Sequence, residues 1–172
     1  PGQRDRDNLP FGSAYGTVER TYSQFIAQED ANNYQGTDDL ALVTLDRPVG
    51  DATGWFDYGS NSDAFFQSLP MHTAGYPAEQ GYSGNTQYSQ FGPITGPTPD
   101  GSQLVWNYSS LTSIPGQSGS PLWYTDPGSH DRTLYGVLVS GDDTDRLGYA
   151  DRLTSAIIGD LQRSARSDAA PA

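Results

Sequence analysis

Ser118 lies at the centre of a segment whose residue types suit nucleophilic chemistry. The segment runs from Ile114 to Leu122 and reads Ile-Pro-Gly-Gln-Ser-Gly-Ser-Pro-Leu. A serine hydroxyl is a weak nucleophile, so a site that uses one must also supply backbone amides that meet the developing oxyanion. Gly116 and Ser118 can supply that pair, because glycine adopts backbone angles closed to other residues and can turn its N–H inward.

The context of Ser118 differs from that of an α/β-hydrolase nucleophile. That fold requires Gly-x-Ser-x-Gly on a turn from a strand into a helix, but Ser120 occupies the second glycine position. The residues that follow, 121–125, read Pro-Leu-Trp-Tyr-Thr and favour a strand. Taken alone, the segment also fits a hairpin turn rich in Gly and Ser, so the rest of the chain must distinguish the two interpretations.

Two motifs carry a resemblance to a known family. Gly116-Gln117-Ser118-Gly119-Ser120-Pro121 resembles the nucleophile loop of the chymotrypsin-like serine peptidases, specifically their glutamyl-endopeptidase-like bacterial branch. Asp39-Leu40-Ala41-Leu42 resembles the segment that carries the catalytic aspartate of that family. The resemblance implies that Asp39 holds the tautomer of a histidine and stabilises the imidazolium formed when Ser118 attacks. The alternative is that Asp38 and Asp39 only end a loop before a buried strand.

The catalytic histidine implied by the resemblance has no counterpart in this sequence. The family carries it in a Thr-Ala-Ala-His segment before the aspartate, whereas both histidines here, His72 and His130, follow Asp39. We expect His72 to be a structural, hydrogen-bonded side chain and His130 to lie in an exposed turn. Neither is therefore assigned as the base.

Two hypotheses account for the missing base. In the first, a separate N-terminal fragment of the same precursor stays docked in a heterodimer and supplies the histidine and the missing strands. Such a fragment would also cover strand edges that an incomplete barrel exposes. In the second, the chain is a truncated or noncatalytic binding module on the same scaffold. Under the first hypothesis the isolated chain is inactive, since loss of a triad base lowers turnover about 10⁶-fold.

The resemblance also implies where a polypeptide substrate binds. The strand Leu138-Val139-Ser140-Gly141 would pair with extended substrate through main-chain hydrogen bonds. Residues near Ser113, Val139 and Asp142 would frame the primary pocket. Glutamyl-specific members carry a histidine at the position of Val139, so its absence argues against an acidic preference. Asp142 favours a basic side chain by its charge, or belongs to an ordinary acidic turn.

Gln117 departs from another feature of the wider family. In the animal trypsin-like enzymes, an aspartate before the serine pairs with a newly freed N-terminal amine. Gln117 is neutral and cannot form that ion pair. We therefore do not expect activation by that switch.

The elements that must position these residues read as short strands. Abundant Gly, Pro, Tyr and Thr, with turn signals such as Gly96-Pro97 and Asp126-Pro127-Gly128, favour an all-β architecture. The resemblance makes this a chymotrypsin-like double six-stranded antiparallel β-barrel with a C-terminal helix, the first barrel being incomplete in this chain. Strands are predicted at 15–26 (one or two), 38–45, 71–77, 87–94, 103–109, 122–125, 134–140 and 148–153.

The domain boundaries follow from that architecture. Residues 1–65 are predicted to form the remainder of the N-terminal barrel, which carries Asp39, with the linker between the barrels near 61–68. Residues 66–153 form the C-terminal barrel, which carries Ser118. Residues 154–172 form a closing helix and a frayed tail, with Ile157, Ile158 and Leu161 on one helix face.

Composition and charge limit the partners. The net charge of -12 repels phosphate backbones and anionic membranes, so nucleic acid and lipid are poor partners. The chain has no cysteine and two distant histidines, which disfavours disulfides and zinc; no cofactor is expected. The acidic segment 141–145 has carboxylates that suit calcium, yet it lacks EF-hand spacing.

The setting of the chain is inferred from its first residue and its charge. The sequence begins at Pro1 without an initiator methionine or signal peptide, so we expect a processed product or a fragment. We expect a secreted, extracellular or periplasmic location.

A third functional hypothesis, a carbohydrate-binding domain, depends on Trp and Tyr content alone, and aromatic residues more often pack in cores.

Overall fold

A computed structural model of the chain describes residues 3, 5, 7–30 and 38–168. The chain is mostly β-structure with a C-terminal helix, as the resemblance implies. The strands are β1 (Gly16–Thr21), β2 (Ala41–Leu45), β3 (Asp57–Tyr58), β4 (Pro70–Gly75), β5 (Tyr88–Pro93), β6 (Gly96–Pro97), β7 (Gln103–Asn107), β8 (Pro121–Thr125), β9 (Arg132–Asp142) and β10 (Leu147–Arg152). The helices are α1 (Ser23–Asp30), α2 (Gly50–Thr53), α3 (Asp63–Ser68) and α4 (Ser155–Asp168).

Eight of the strands form one sheet that curves as a half-barrel. Its hydrogen-bonded order is β5-β4-β8-β9-β10-β7-β6, and β3 pairs with β9 away from this path. All pairs are antiparallel except β3 with β9. The central strand β9 is 11 residues long because its Val, Leu, Tyr and Thr side chains suit a pleated, half-buried surface. Gly136 lets β9 and β10 approach closely, since a Cβ there would lie 3.0 Å from the carbonyl oxygen of Asp151.

The core lies against one face of this sheet. Phe65 and Phe66 of α3 contact Tyr135 at ring-centroid distances of 5.2 and 5.5 Å. The helix α3 is positioned by Ser62, whose hydroxyl accepts the N–H of Phe65. The largest fully buried core side chains belong to Phe66, Met71, Leu104, Trp106, Leu111, Leu122 and Leu138.

The strands β1 and β2 form a separate two-stranded antiparallel sheet. Most of their side chains are exposed, among them Val43 and Leu45. The end of α4 contacts this sheet, because the carboxylate of Asp168 binds the guanidinium of Arg20 and the hydroxyl of Thr44. The domain limits, 1–65 and 66–153, remain predictions. Strand β3 lies before residue 65 and pairs with β9, which lies after it.

Several predicted elements differ from those found. Residues 15–26 were expected to be strand throughout, but α1 begins at Ser23, where Ala, Gln and Glu favour helix. The expected linker at 61–68 contains α3, which Phe65 and Phe66 hold against the core. The helix α1 continues to Asp30, and residues 31–37 lie outside the described residues. The closing helix begins as expected, with the hydroxyl of Thr154 accepting the N–H of Ile157.

Candidate functional site

Two consecutive turns place Ser118 at the surface. The N–H of Gln117 donates to the carbonyl of Ile114, and the N–H of Ser120 donates to the carbonyl of Gln117, both at 3.0 Å. Gly116 (φ 93°) and Gly119 (φ 84°) occupy the third position of each turn, where a type II turn requires a positive φ. The side chain of Ser118 is exposed, and its hydroxyl lies 3.5 Å from the carbonyl oxygen of Val139 in β9.

The backbone amides of Gly116 and Ser118 are available to an external acceptor. Among the described residues, neither N–H donates to a carbonyl, carboxylate or hydroxyl oxygen. Gly116 is required here by space as well as by its φ, since a Cβ would lie 2.8 Å from both the carbonyl oxygen of Tyr76 and the Cβ of Ala78. Two N–H donors two residues apart, one of them on the residue that carries the exposed hydroxyl, are the groups from which an oxyanion site is built.

A cavity of about 610 Å³ opens beside this loop. Indole rings and a proline form much of its wall, and Arg132 contributes a cationic group. Such a mixture of apolar walls and few polar groups is typical of a binding cleft. The lining residues are Thr53, Gly54, Trp55, Phe56, Ala74, Gly75, Tyr76, Gln87, Gly116, Ser118, Gly119, Ser120, Pro121, Trp123 and Arg132. Of the predicted site residues, the cavity brings together Gly116 and Ser118.

Asp39 is anchored to the large sheet close to where Ser118 contacts it. Its N–H donates to the Oδ2 of Asp151 at 2.7 Å. Asp151 pairs with Val137 of β9, two positions from Val139, whose carbonyl faces the Ser118 hydroxyl. Two positions correspond to roughly 7 Å along a strand. Asp39 is not among the residues that line the 610 Å³ cavity.

The predicted primary pocket is shaped by a side chain that sequence reasoning missed. The hydroxyl of Ser113 donates to the carbonyl of Ser140 at 3.2 Å. The Tyr108 hydroxyl lies against Gly141, where an added Cβ would collide with it. Burial and the carboxylate of Asp143 raise the pKa of Tyr108, whose hydroxyl also bonds Ser113. No sequence signal marks Tyr108, because an aromatic residue just after β7 is most simply read as packing.

Asp142 is engaged within its own turn. Its Oδ1 accepts the N–H of Thr144 at 2.8 Å and that of Asp145 at 3.1 Å. These bonds are typical of an Asx turn. Of the two interpretations that the sequence left open, this geometry favours the acidic turn.

Neither histidine lines the cavity beside Ser118. The ring of His72 is stacked 5.3 Å from Trp123 and 4.4 Å from Phe91, so it has a packing role. Burial, together with Arg132, lowers the pKa of His72. His130 is exposed, has a φ of 65° and donates its N–H to the carbonyl of Asp126, as expected for a turn residue.

Within residues 3, 5, 7–30 and 38–168, no three His, Cys, Asp or Glu side chains are grouped so as to hold a metal ion. No helix in those ranges is long and apolar enough to cross a membrane.

Three solved structures similar to this chain are proteases. A Glu endopeptidase in complex with MPD has a TM-score of 0.75 at 19% identity, covering 97% of this chain and 70% of its own. Protease Anisep from Arthrobacter nicotinovorans has a TM-score of 0.71 at 17% identity, and the match covers 95% of this chain and 72% of that protease chain. A thermostable serine protease, AL20, from an extremophilic microorganism has a TM-score of 0.70 at 16% identity, and the match covers 95% of this chain and 73% of that protease chain.

The similarity lies in structure and not in sequence. No protein-family model and no curated protein sequence matches the chain. At these identities the structural match establishes the fold. The chain therefore has the chymotrypsin-like, glutamyl-endopeptidase-like fold of the bacterial serine proteases.

Proposed function

We propose that the chain is the nucleophile-bearing part of a serine endopeptidase. The Oγ of Ser118 attacks the carbonyl carbon of a peptide bond and passes its proton to an imidazole. The amides of Gly116 and Ser118 hold the oxyanion of the tetrahedral intermediate. The C–N bond then breaks, the imidazole returns the proton to the leaving amine, and water hydrolyses the acyl-enzyme by the same steps in reverse.

The main support for this proposal is the pair of unoccupied amides beside the exposed Ser118 hydroxyl. Gly116 and Ser118 are both exposed at the edge of the cleft, and among the described residues neither N–H has an acceptor. Both donors therefore remain free for an external oxyanion. The protease fold raises the weight of this interpretation, although fold alone does not decide function.

The proposed imidazole comes from an N-terminal fragment of the same precursor. Ser118 and Asp39 attach to neighbouring positions of β9 and β10, so a histidine seated between them could bond to both. Asp39 would then hold the imidazole in the tautomer that accepts the proton of Ser118. The exposed two-stranded sheet of β1 and β2 offers edges with which the strands of that fragment would pair.

A noncatalytic binding module is the second candidate. The observation in its favour is that His72 is stacked on aromatic rings and His130 lies in an exposed turn, so neither serves Ser118. Under this alternative the cleft binds a polypeptide without cleaving it. Peptide binding would then be unchanged in the Ser118→Ala variant.

The test is covalent labelling of the purified material by a fluorophosphonate. Denaturing mass spectrometry should detect a second, histidine-bearing chain, and the probe should label Ser118. Ser129→Ala is a matched control, because Ser129 is an exposed loop serine that does not line the cavity beside Ser118. Correctly assembled material that contains the second chain but takes no label would exclude the peptidase. A single chain with no label and unchanged peptide binding would support the binding module.

A further inference from the structure

Gln117 joins the two turns that shape the nucleophile loop. It is the last residue of the turn that begins at Ile114 and the first residue of the turn that ends at Ser120. The backbone of Gln117 lies between the Gly116 N–H and the Ser118 N–H. A rotation of Gln117 would therefore redirect both candidate oxyanion donors.

The side chain of Gln117 closes a ring with the loop that carries it. Its Oε1 accepts the N–H of Ile114 at 2.8 Å, while its own N–H donates to the carbonyl of Ile114 at 3.0 Å. The residue is 1% exposed, and its stem packs near Gly75, where a Cβ would lie 3.5 Å from its Cγ. Both backbone polar groups of Ile114 are thus satisfied by one residue, in a site closed to water.

We infer that Gln117 is a positioning residue that sets the direction of the Gly116 and Ser118 amides without help from a charged group. The bond it makes to Ile114 is neutral and lies within four consecutive residues of the chain. The loop therefore has its oxyanion geometry before any N-terminal amine is released, and it keeps that geometry when such an amine is blocked. This inference depends on the proposed peptidase function of Ser118.

The test uses the active protein, that is, this chain together with the histidine-bearing fragment. In fluorophosphonate labelling the bond from Ser118 Oγ to phosphorus forms, the proton moves to the imidazole and fluoride leaves, while the phosphoryl oxygen occupies the oxyanion site. Gln117→Met keeps a side chain of similar length but removes the acceptor for the Ile114 N–H. Its maximal labelling rate should fall about 10²- to 10³-fold, as when an oxyanion donor is lost, with little change in the concentration for half-maximal rate. Gln117→Glu keeps the accepting oxygen and should restore most of the rate.

Gln90→Met is the matched structural control. The Oε1 of Gln90 accepts the N–H of Thr112 at 2.7 Å, so this variant also removes a glutamine acceptor from a loop N–H. Thr112 lies outside the two turns, so Gln90→Met should lower thermal stability but leave the labelling rate within a few-fold of wild type. Acetylating the N-terminal amines should also leave the rate unchanged.

The possible outcomes separate this inference from the peptidase proposal. Failure of the wild-type assembly to label would overturn the peptidase proposal and this inference with it. Wild-type labelling that is equally fast in Gln117→Met, or that Gln90→Met reduces to the same extent, would overturn the role of Gln117 alone. Loss of labelling on acetylation would show that an amine, and not Gln117, sets the loop.

Discussion

The carboxylate of Asp151 accepts the backbone N–H of Asp39 at 2.7 Å. Asp151 is 2% exposed, and its Oδ1 accepts a hydrogen bond from the side chain of Gln103 at 3.0 Å. Burial, together with the carboxylates of Asp39 and Asp38, raises the pKa of Asp151 to about 6 against the lowering effect of these two bonds. The segment that carries the candidate acid is therefore attached to the large sheet through a carboxylate that is costly to ionise.

This attachment predicts a specific dependence of stability on pH. The folded pKa of about 6 exceeds the ordinary value of 3.8, so between these values the folded protein holds a proton that the unfolded chain releases. The contribution of Asp151 to the free energy of unfolding should therefore decrease by about 3 kcal/mol in total as pH rises from about 3 to about 7, and then level off. Urea denaturation of Asp151→Asn, which keeps an acceptor for Asp39 without the charge, should lack this decrease.

The control for that measurement is Asp131→Asn, on an exposed loop. Its free energy of unfolding should run parallel to that of the wild type over the same pH range. Parallel curves for Asp151→Asn and wild type would contradict the prediction, because they would mean that the buried carboxyl titrates equally in both states.

The nucleophile loop could be predicted from sequence because its determinants are local. Pro115 fixes its own φ, and Gly116 and Gly119 readily adopt the positive φ that a type II turn requires, so the two turns follow from short-range chemistry. The contacts of Asp39 with Asp151 and of Tyr108 with Gly141 join residues far apart in the chain, and no local pattern encodes them. The helix α1 was missed because Phe25 and Ile26 suggested a strand, although neighbouring residues favour helix.

Gly116 should be far less replaceable than Gly119. Both have a positive φ, which costs an L-residue about 1 to 2 kcal/mol. A Cβ at Gly116 would also lie 2.8 Å from backbone and side-chain atoms of the Tyr76–Ala78 segment, whereas a Cβ at Gly119 would meet nothing within 4 Å. Gly116→Ala should thus lower the melting temperature more than Gly119→Ala. Equal losses, measured by differential scanning calorimetry, would indicate that the loop yields at Gly116.

Asp168 should hold the small sheet against α4. Its carboxylate binds the guanidinium of Arg20 and the hydroxyl of Thr44, and these bonds lower the pKa of Asp168. These bonds therefore stabilise the folded protein fully at pH values above the ordinary carboxyl pKa. That stabilisation is lost as the pH falls through the lowered pKa of Asp168. Asp168→Asn should speed amide exchange in β1 and β2 at pH 7. Asp160→Asn, which removes an ion pair to Arg163 within α4, should not.

Tyr108 should influence the preference for the residue before the scissile bond. Its hydroxyl lies between Gly141 and Ser113, in the predicted primary pocket. Tyr108→Phe removes a polar group from that pocket, so cleavage after apolar residues should gain relative to cleavage after polar ones, by about 10-fold in kcat/KM. A peptide library would measure the ratio. Tyr88→Phe is the control, since Tyr88 of β5 packs on Tyr82. An identical shift in both variants would refute a role for Tyr108.

The small sheet should require additional strands for its stability. A two-stranded sheet is at best marginally stable in water, and Val43 and Leu45 of β2 are 46% and 39% exposed. The isolated chain should therefore show fast amide exchange in β1 and β2, and adding the histidine-bearing fragment should slow it. Val43→Lys should weaken that association at least about 10-fold, because it places a charge on the face to be covered. Leu9→Lys, at an equally exposed position outside both strands, should leave it unchanged; equal weakening by both variants would show that the fragment binds elsewhere.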